Sequence, residues 1–140
     1  LLSQEERDFV KDHIPHTGIF AGDIEIFNMV LENKDKYIMK PMDLNASQGV
    51  YVGRDLSHKE WEDRLKKDWN RDYLYQEFVE NFSRPYLIFK DGSFQVEDFN
   101  SVIGLFVYNE KFVGSYVRIG QNNIISGVTD YYAAPTILVK

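Results

Sequence analysis

The sequence predicts an α+β fold in which a few short helices come first and a mainly antiparallel sheet follows. Helix-capping patterns and apolar residues at helical spacing are confined to the part of the chain before Tyr73. From Tyr73 onward, short apolar runs alternate with tight-turn pairs such as Asp91-Gly92, which is a strong hairpin signal. Helices and strands that are segregated along the chain are typical of the α+β class.

Three helix-start signals occur in the first half. Ser3 and Glu6, and again Ser57 and Glu60, have the spacing of a capping box, and Asp23 can cap a helix between them. Apolar residues at helical spacing follow the second and third signals: Ile24, Phe27, Val30 and Leu31, then Trp61, Leu65 and Trp69. The sequence therefore predicts three short helices, with a connection over residues 15–22 between the first two.

The remaining apolar runs predict strands. Turns are expected at Asp91-Gly92 and Asn109-Glu110, and a polar hairpin joins the first two strands. The predicted strands are Tyr37–Lys40, Gly49–Gly53, Tyr73–Val79, Tyr86–Lys90, Ser93–Phe99, Val102–Tyr108, Lys111–Arg118, Ile124-Ile125 and Thr136–Val139. Since no repeat or linker interrupts the pattern, residues 1–140 are predicted to form a single compact unit, with a helical lead-in over residues 1–35 and an antiparallel β part over residues 80–140.

The amino-acid composition of the chain argues against nucleic acids and membranes as its binding partners. The chain has 140 residues, no cysteine, and 22 acidic against 16 basic residues, for a net charge of −6. This balance argues against a surface that neutralises the phosphates of a nucleic acid. No apolar run approaches the roughly 18 residues of a membrane span, and the N-terminus lacks a signal-peptide pattern. We expect a cytoplasmic protein with neither a nucleic acid nor a membrane as its partner.

The polar hairpin after Lys40 is a candidate phosphate site. Backbone N–H groups of a loop of small residues can surround phosphate oxygens, and one cation offsets their charge. An exposed polar hairpin with a solvated lysine is the alternative. The candidate residues are Lys40, Asn45, Ser47, Gln48 and Gly49.

Two further places could contribute to a nucleotide site. Gln76 and Glu77 interrupt an apolar strand that continues to Phe78 and Val79, and this segment is either a cleft wall facing a base and ribose or a solvent-exposed sheet edge. Arg118 ends another apolar strand, where a guanidinium can grip a phosphate or carboxylate, although a solvated arginine is the commoner case. No residue of this chain is proposed as a metal ligand.

Taken together and in order, six segments resemble the circularly permuted ATP-grasp family, and within it the C-terminal part of glutathionylspermidine synthase-like ligases. The resemblance runs over nearly the whole chain. The segments are Ile14–Thr17, Tyr37–Pro41, Gln48–Gly53, Tyr75–Val79, Gly104–Tyr108 and Gly114–Arg118.

The resemblance implies an enzyme that activates a carboxylate with ATP and Mg²⁺ as an acyl phosphate, which an amine then attacks to form an amide. It implies ATP-grasp-like subdomains, with residues 36–79 as the nucleotide-closing subdomain. Lys40 and the hairpin would contact phosphates, residues 76–79 would line adenine and ribose, and Arg118 would stabilise charge as a catalytic residue. Small-molecule carboxylate and amine substrates are the implied partners.

Two departures from the family pattern bear on activity. The hairpin Asp43–Gln48 lacks the several glycines of family members, and the chain lacks the Asp…Glu-x-Asn set that would hold Mg²⁺. Because the chain also begins at Leu1 rather than Met, we expect a C-terminal fragment that is inactive alone and depends on the rest of a parent chain for its metal ligands. The alternative is a non-catalytic binding module derived from an ATP-grasp fold with a degraded phosphate loop.

Overall fold

The structure, a computed structural model, describes residues 2–126 and 131–137. It is α+β, with three short helices and two antiparallel four-stranded sheets. The chain folds as two compact units, Leu1–Val79 and Glu80–Lys140, and each unit has its own sheet. The assignment of residues 1–140 to the C-terminal fragment of an ATP-grasp domain stays a prediction.

The helices all belong to the first unit and begin where the sequence predicts. They are α1 (Gln4–His13), α2 (Ile24–Glu32) and α3 (His58–Asp68). Both predicted capping boxes are formed, with Ser3 and Ser57 accepting the N–H groups of Glu6 and Glu60, and Asp23 caps α2. None of the residues of α1 is buried, so the fold's core depends on α2 and α3.

The first sheet has the strand order β1-β4-β2-β3. Its strands are β1 (Thr17–Ile19), β2 (Tyr37–Pro41), β3 (Tyr51–Val52) and β4 (Tyr73–Glu77). One face packs against α2 and α3 to form the core: Phe20, Val30, Met39, Tyr51, Trp61, Leu65 and Tyr75.

Three details of this sheet differ from prediction, one of which is that the predicted strand Tyr73–Val79 ends at Glu77. Residues 17–19 lie in a strand instead of a connection, because pairing with β4 holds a segment too short to show a two-residue period by itself. The predicted strand Gly49–Gly53 shrinks to Tyr51–Val52: Gly49 has a φ of +71°, and Gly53 starts a 3₁₀ turn.

The second unit is one antiparallel sheet in the order β5-β6-β7-β8. The strands are β5 (Ser83–Lys90), β6 (Ser93–Tyr108), β7 (Lys111–Gly120) and β8 (Tyr132–Ala134). Both predicted hairpins, at Asp91-Gly92 and Asn109-Glu110, are present. Phe99 and Ile119 are buried in this unit, and the rings of Tyr86 and Tyr132 meet the Phe99 ring edge-on.

The strand predictions are wrong in four places here, one of which is that the sequence predicts no strand at β8 (Tyr132–Ala134). The two strands predicted between Ser93 and Tyr108 are one strand of 16 residues, because Ser101 is buried and bonded to the Tyr86 hydroxyl instead of marking a turn. Ile124 and Ile125 are in no strand, although Ile125 is buried. Of the strand predicted at residues 136–139, Thr136 and Ile137 are not in a strand, and residues 138–139 lie outside the described part.

Candidate functional site

Lys40 and Gln76 lie on the face of the first sheet opposite the core. Ile38 pairs with Gln76, and Lys40 is two residues further along the same strand, so all three side chains share one face. The alternate residues Met39 and Tyr75, which pair with each other, are buried in the core on the other face. The candidate site therefore lies on the face of the sheet that α2 and α3 do not cover.

A chain of hydrogen bonds crosses three strands on this face. The Lys40 ammonium donates to Gln76 Oε1 at 2.5 Å, and Gln76 Nε2 donates to the Thr17 hydroxyl at 2.7 Å. That hydroxyl donates in turn to the carbonyl of Pro15 at 2.9 Å. Thr17 thus fixes the orientation of the Gln76 amide so that its oxygen faces Lys40.

The charge of Lys40 has no counter-ion in residues 2–126 and 131–137. Its one side-chain partner there is the neutral amide of Gln76. Partial burial lowers the pKa of the Lys40 ammonium, and no nearby carboxylate raises it. A half-buried cation without an anion is electrostatically unfavourable unless a ligand supplies the negative charge.

The hairpin of residues 42–50 has a strained and open tip. Ala46 and Ser47 are both left-handed, with φ of 51° and 60°, a conformation that costs about 1–2 kcal/mol per non-glycine residue. The N–H groups of Gln48 and Val50 donate within the loop, to the carbonyls of Asn45 and Ser47. Across the described residues, the N–H groups of Asn45, Ala46 and Ser47 have no acceptor, so three successive donors remain for a ligand.

Tyr73 anchors the base of this hairpin. Its hydroxyl donates to the carbonyl of Gly49 at 3.3 Å. A side chain at Gly49 would come within 3.0 Å of the Tyr73 hydroxyl, so glycine suits both the close contact and the positive φ. Tyr73 therefore fixes the base of the hairpin, and the tip extends beyond it.

The segment Gln76–Val79 uses much of its backbone inside the fold. The Glu77 N–H donates to the carbonyl of His16 at 2.9 Å, and the Phe78 N–H donates to the carbonyl of Lys36 at 2.8 Å. The Glu77 carboxylate accepts the His16 N–H at 3.3 Å, and Val79 is exposed. These two N–H groups, which the sequence suggests for contact with a base, already have partners.

Arg118 belongs to the second unit. It lies in β7, opposite Val102 and Ala133, and is half-buried. Tyr116, two residues earlier on the same face, forms a hydrogen bond with Tyr131 that raises its pKa, while the charge of Arg118 acts in the opposite direction. Of the predicted site residues, the structure joins Lys40 to Gln76 by a direct bond.

Thr17 and Pro15 are site residues that are not among the predicted ones, although both lie in Ile14–Thr17, one of the segments that carry the resemblance. A further local signal is the pair of β-branched residues Thr17 and Ile19 around Gly18. Their role depends on the pairing of β1 with β4, whose members are 59 residues apart at Thr17 and Gln76.

The described ranges contain no group of three or more His, Asp or Glu side chains arranged to hold a metal ion. No metal step is assigned to these residues. In the same ranges, no helix combines the length and apolar character needed to cross a membrane.

The fold and this cluster define an α+β protein in which Lys40, without a counter-ion among the described residues, lies on the face of the first sheet opposite the core. No protein-family model matches the chain, and a comparison with curated proteins also finds no match.

Proposed function

We propose that the chain binds the phosphates of ATP through Lys40 and the hairpin of residues 42–50, as part of an ATP-dependent carboxylate–amine ligase of the ATP-grasp type. The observation that carries the proposal is the Lys40 ammonium, half-buried and bonded to an amide oxygen instead of a carboxylate. Phosphate oxygens would supply the missing negative charge. The neutral Gln76 holds the ammonium in place without neutralising it.

The hairpin supplies the second part of the proposed site. Its three successive free N–H groups, at Asn45, Ala46 and Ser47, are the kind of donors that surround phosphate oxygens. The left-handed backbone at two of these residues is the sort of strain that persists at ligand-binding loops. Ser47 and Gln48 add side-chain donors at the same tip.

The ligase reaction follows from the resemblance and sets the expected chemistry. A substrate carboxylate oxygen attacks the γ-phosphorus and ADP leaves, giving an acyl phosphate; an amine then attacks the acyl carbon and phosphate leaves. The metal ligands are proposed to lie in the rest of a parent chain, so the 140-residue chain is expected not to turn over ATP alone.

One observation favours a second candidate, a non-catalytic binding module. The N–H groups of Glu77 and Phe78 are bonded inside the fold, which removes two donors from a base-binding segment. Under this alternative the sheet face recognises a partner and ATP does not bind.

Replacing Lys40 by methionine tests the proposal, because methionine keeps the apolar stem and removes the charge. We expect calorimetric titration with ATP to show about 10- to 100-fold weaker binding, as for loss of a hydrogen bond to a charged group. Lys59 is the matched control, since its side chain is 87% exposed and Lys59→Met removes the same charge from α3, which packs on the other face of the sheet.

Equal ATP affinities for the wild type and Lys40→Met would contradict a phosphate contact at Lys40. Failure of the wild-type chain to bind ATP would overturn the proposed function and favour the binding module. Thermal unfolding of both variants should stay close to the wild type; a large loss of stability in Lys40→Met with unchanged affinity would make the lysine structural.

A further inference from the structure

A polar pocket opens on the sheet of the second unit, and the proposed nucleotide site makes no use of it. Its volume is about 530 Å³. Its lining includes the polar or charged side chains of Lys90, Glu97 and Gln121 and the aromatic side chains of Phe99, Tyr131 and Tyr132. All of these residues lie within the second unit.

Glu97 is the anionic group of the pocket and is only partly engaged. Its Oε2 accepts a hydrogen bond from Gln121 Nε2 at 3.0 Å. Its Oε1 lies 3.5 Å from the ammonium of Lys90, which is at the outer limit for a hydrogen bond. Since an ionised carboxylate offers about four acceptor sites, Glu97 keeps capacity for another donor.

The ion pair between Lys90 and Glu97 is asymmetric in exposure. The Glu97 side chain is 23% exposed, whereas that of Lys90 is 50% exposed. The carboxylate is therefore held in the pocket by its strand and by Gln121, while the lysine reaches it from the solvent side. An exposed pair of this kind contributes little to stability, about 0–1 kcal/mol, so the lysine can be displaced at low cost.

Aromatic side chains line the pocket beside the Glu97 carboxylate. Phe99 and Tyr132 pack edge to face, with ring centroids 5.7 Å apart and planes at 87°. Tyr131 and Tyr132 are both partly open to solvent. A carboxylate next to the partly exposed rings of Tyr131 and Tyr132 favours an organic cation, which gains a charged hydrogen bond and contact with an aromatic ring. An anion would meet Glu97 and a chain of net charge −6.

We propose that this pocket binds a small organic ammonium ion, whose nitrogen takes the place of the Lys90 ammonium beside Glu97. The Lys90 side chain is itself an alkylammonium and lies 3.5 Å from the Glu97 carboxylate. The proposal does not rest on the proposed nucleotide site, because binding needs no ATP.

The test uses n-butylammonium as the probe and the 140-residue chain, followed by NMR titration of the Gln121 side-chain amide. Glu97→Gln keeps the shape and should weaken binding about tenfold, because a charged acceptor becomes neutral. Lys90→Met removes the internal competitor and should tighten binding about two- to fivefold. The two substitutions are thus expected to change the affinity for n-butylammonium in opposite directions.

The uncharged isostere n-butanol and the anion butyrate are the controls. Equal binding of n-butanol would show an apolar pocket without charge recognition and would overturn the proposal, as would tighter binding of butyrate. Weaker binding in Lys90→Met would also overturn it, because the lysine would then be a ligand contact. Since Lys90 is half exposed, this second variant keeps the test decisive even where Glu97→Gln disturbs the fold.

Discussion

Substituting Trp61 by alanine should lower the free energy of unfolding of the first unit by about 3–5 kcal/mol. Trp61 is fully buried, and its ring meets that of Tyr51 edge-on at 5.5 Å. Its Nε1–H donates to the carbonyl of Val30 at 3.2 Å, which joins α3 to α2. Removal leaves both a cavity and a buried acceptor without its donor. Urea unfolding followed by circular dichroism measures the loss.

Trp61→Phe separates the two contributions. Phenylalanine keeps much of the volume and removes the hydrogen bond, so the expected loss is smaller, about 1–3 kcal/mol. A Trp61→Ala variant with wild-type stability would show that the helices do not pack on this face of the sheet. Equal losses in the two variants would instead assign the whole effect to the bond with Val30.

Gly53→Ala should destabilise the same unit by about 3 kcal/mol or more, because the added methyl has no room. A Cβ at this position would lie 1.9 Å from the carbonyl oxygen of Lys34, a backbone atom that cannot rotate away. The Lys34 ammonium also donates to the Gly53 carbonyl at 2.7 Å, so the two short 3₁₀ turns, Lys34–Lys36 and Gly53–Asp55, are held together from both sides. The substitution must push these turns apart, and a thermal melt monitors the result.

Gly22→Ala is the control in the same unit. Its φ is +82° and a Cβ there meets nothing within 4 Å, so the variant carries only the cost of a left-handed backbone, about 1–2 kcal/mol. Gly53→Ala should lose clearly more stability than Gly22→Ala. A reversed order would mean that the approach of Gly53 to Lys34 is not tight in the folded protein.

The features that could be predicted from sequence are those specified by neighbouring residues. The capping boxes at Ser3 and Ser57 are confirmed because each needs only two side chains three residues apart. The hairpin turns are confirmed for a similar reason. Asp91-Gly92 and Asn109-Glu110 occupy left-handed conformations, with φ from 48° to 79°, as two-residue hairpin loops require.

The features that were missed depend on distant partners. β1 and β8 have three residues each, too few for a periodic pattern, and exist as strands because β4 and β7 pair with them. The polar Ser101 falls in the break predicted between two strands, yet the Tyr86 hydroxyl satisfies it in the middle of β6. A polar residue in an apolar stretch therefore predicts a loop wrongly when a distant residue of the chain supplies its hydrogen-bond partner.

The candidate site shows the same division. The residue types at Lys40 and Gln76 could be selected from the sequence, because each is polar in an apolar strand. The contact between Lys40 and Gln76 could not be predicted, because the two residues are 36 positions apart and meet only through the register of β2 against β4. The hydrogen bond from Gln76 to Thr17 depends in addition on the pairing of a third strand, β1, with β4.

In the second sheet, β6 pairs with β5 over its first half and with β7 over its second half. This arrangement has a consequence for the exchange of backbone amides with solvent deuterium. Residues 93–100 of β6 pair with β5, and residues 100–108 pair with β7 on the opposite edge. Successive amides of a strand point to opposite edges, so in each half every second amide lies inside a ladder and is slow to exchange. Because the paired edge changes at Asn100, the alternation of slow and fast amides should change phase there, halfway along one uninterrupted strand.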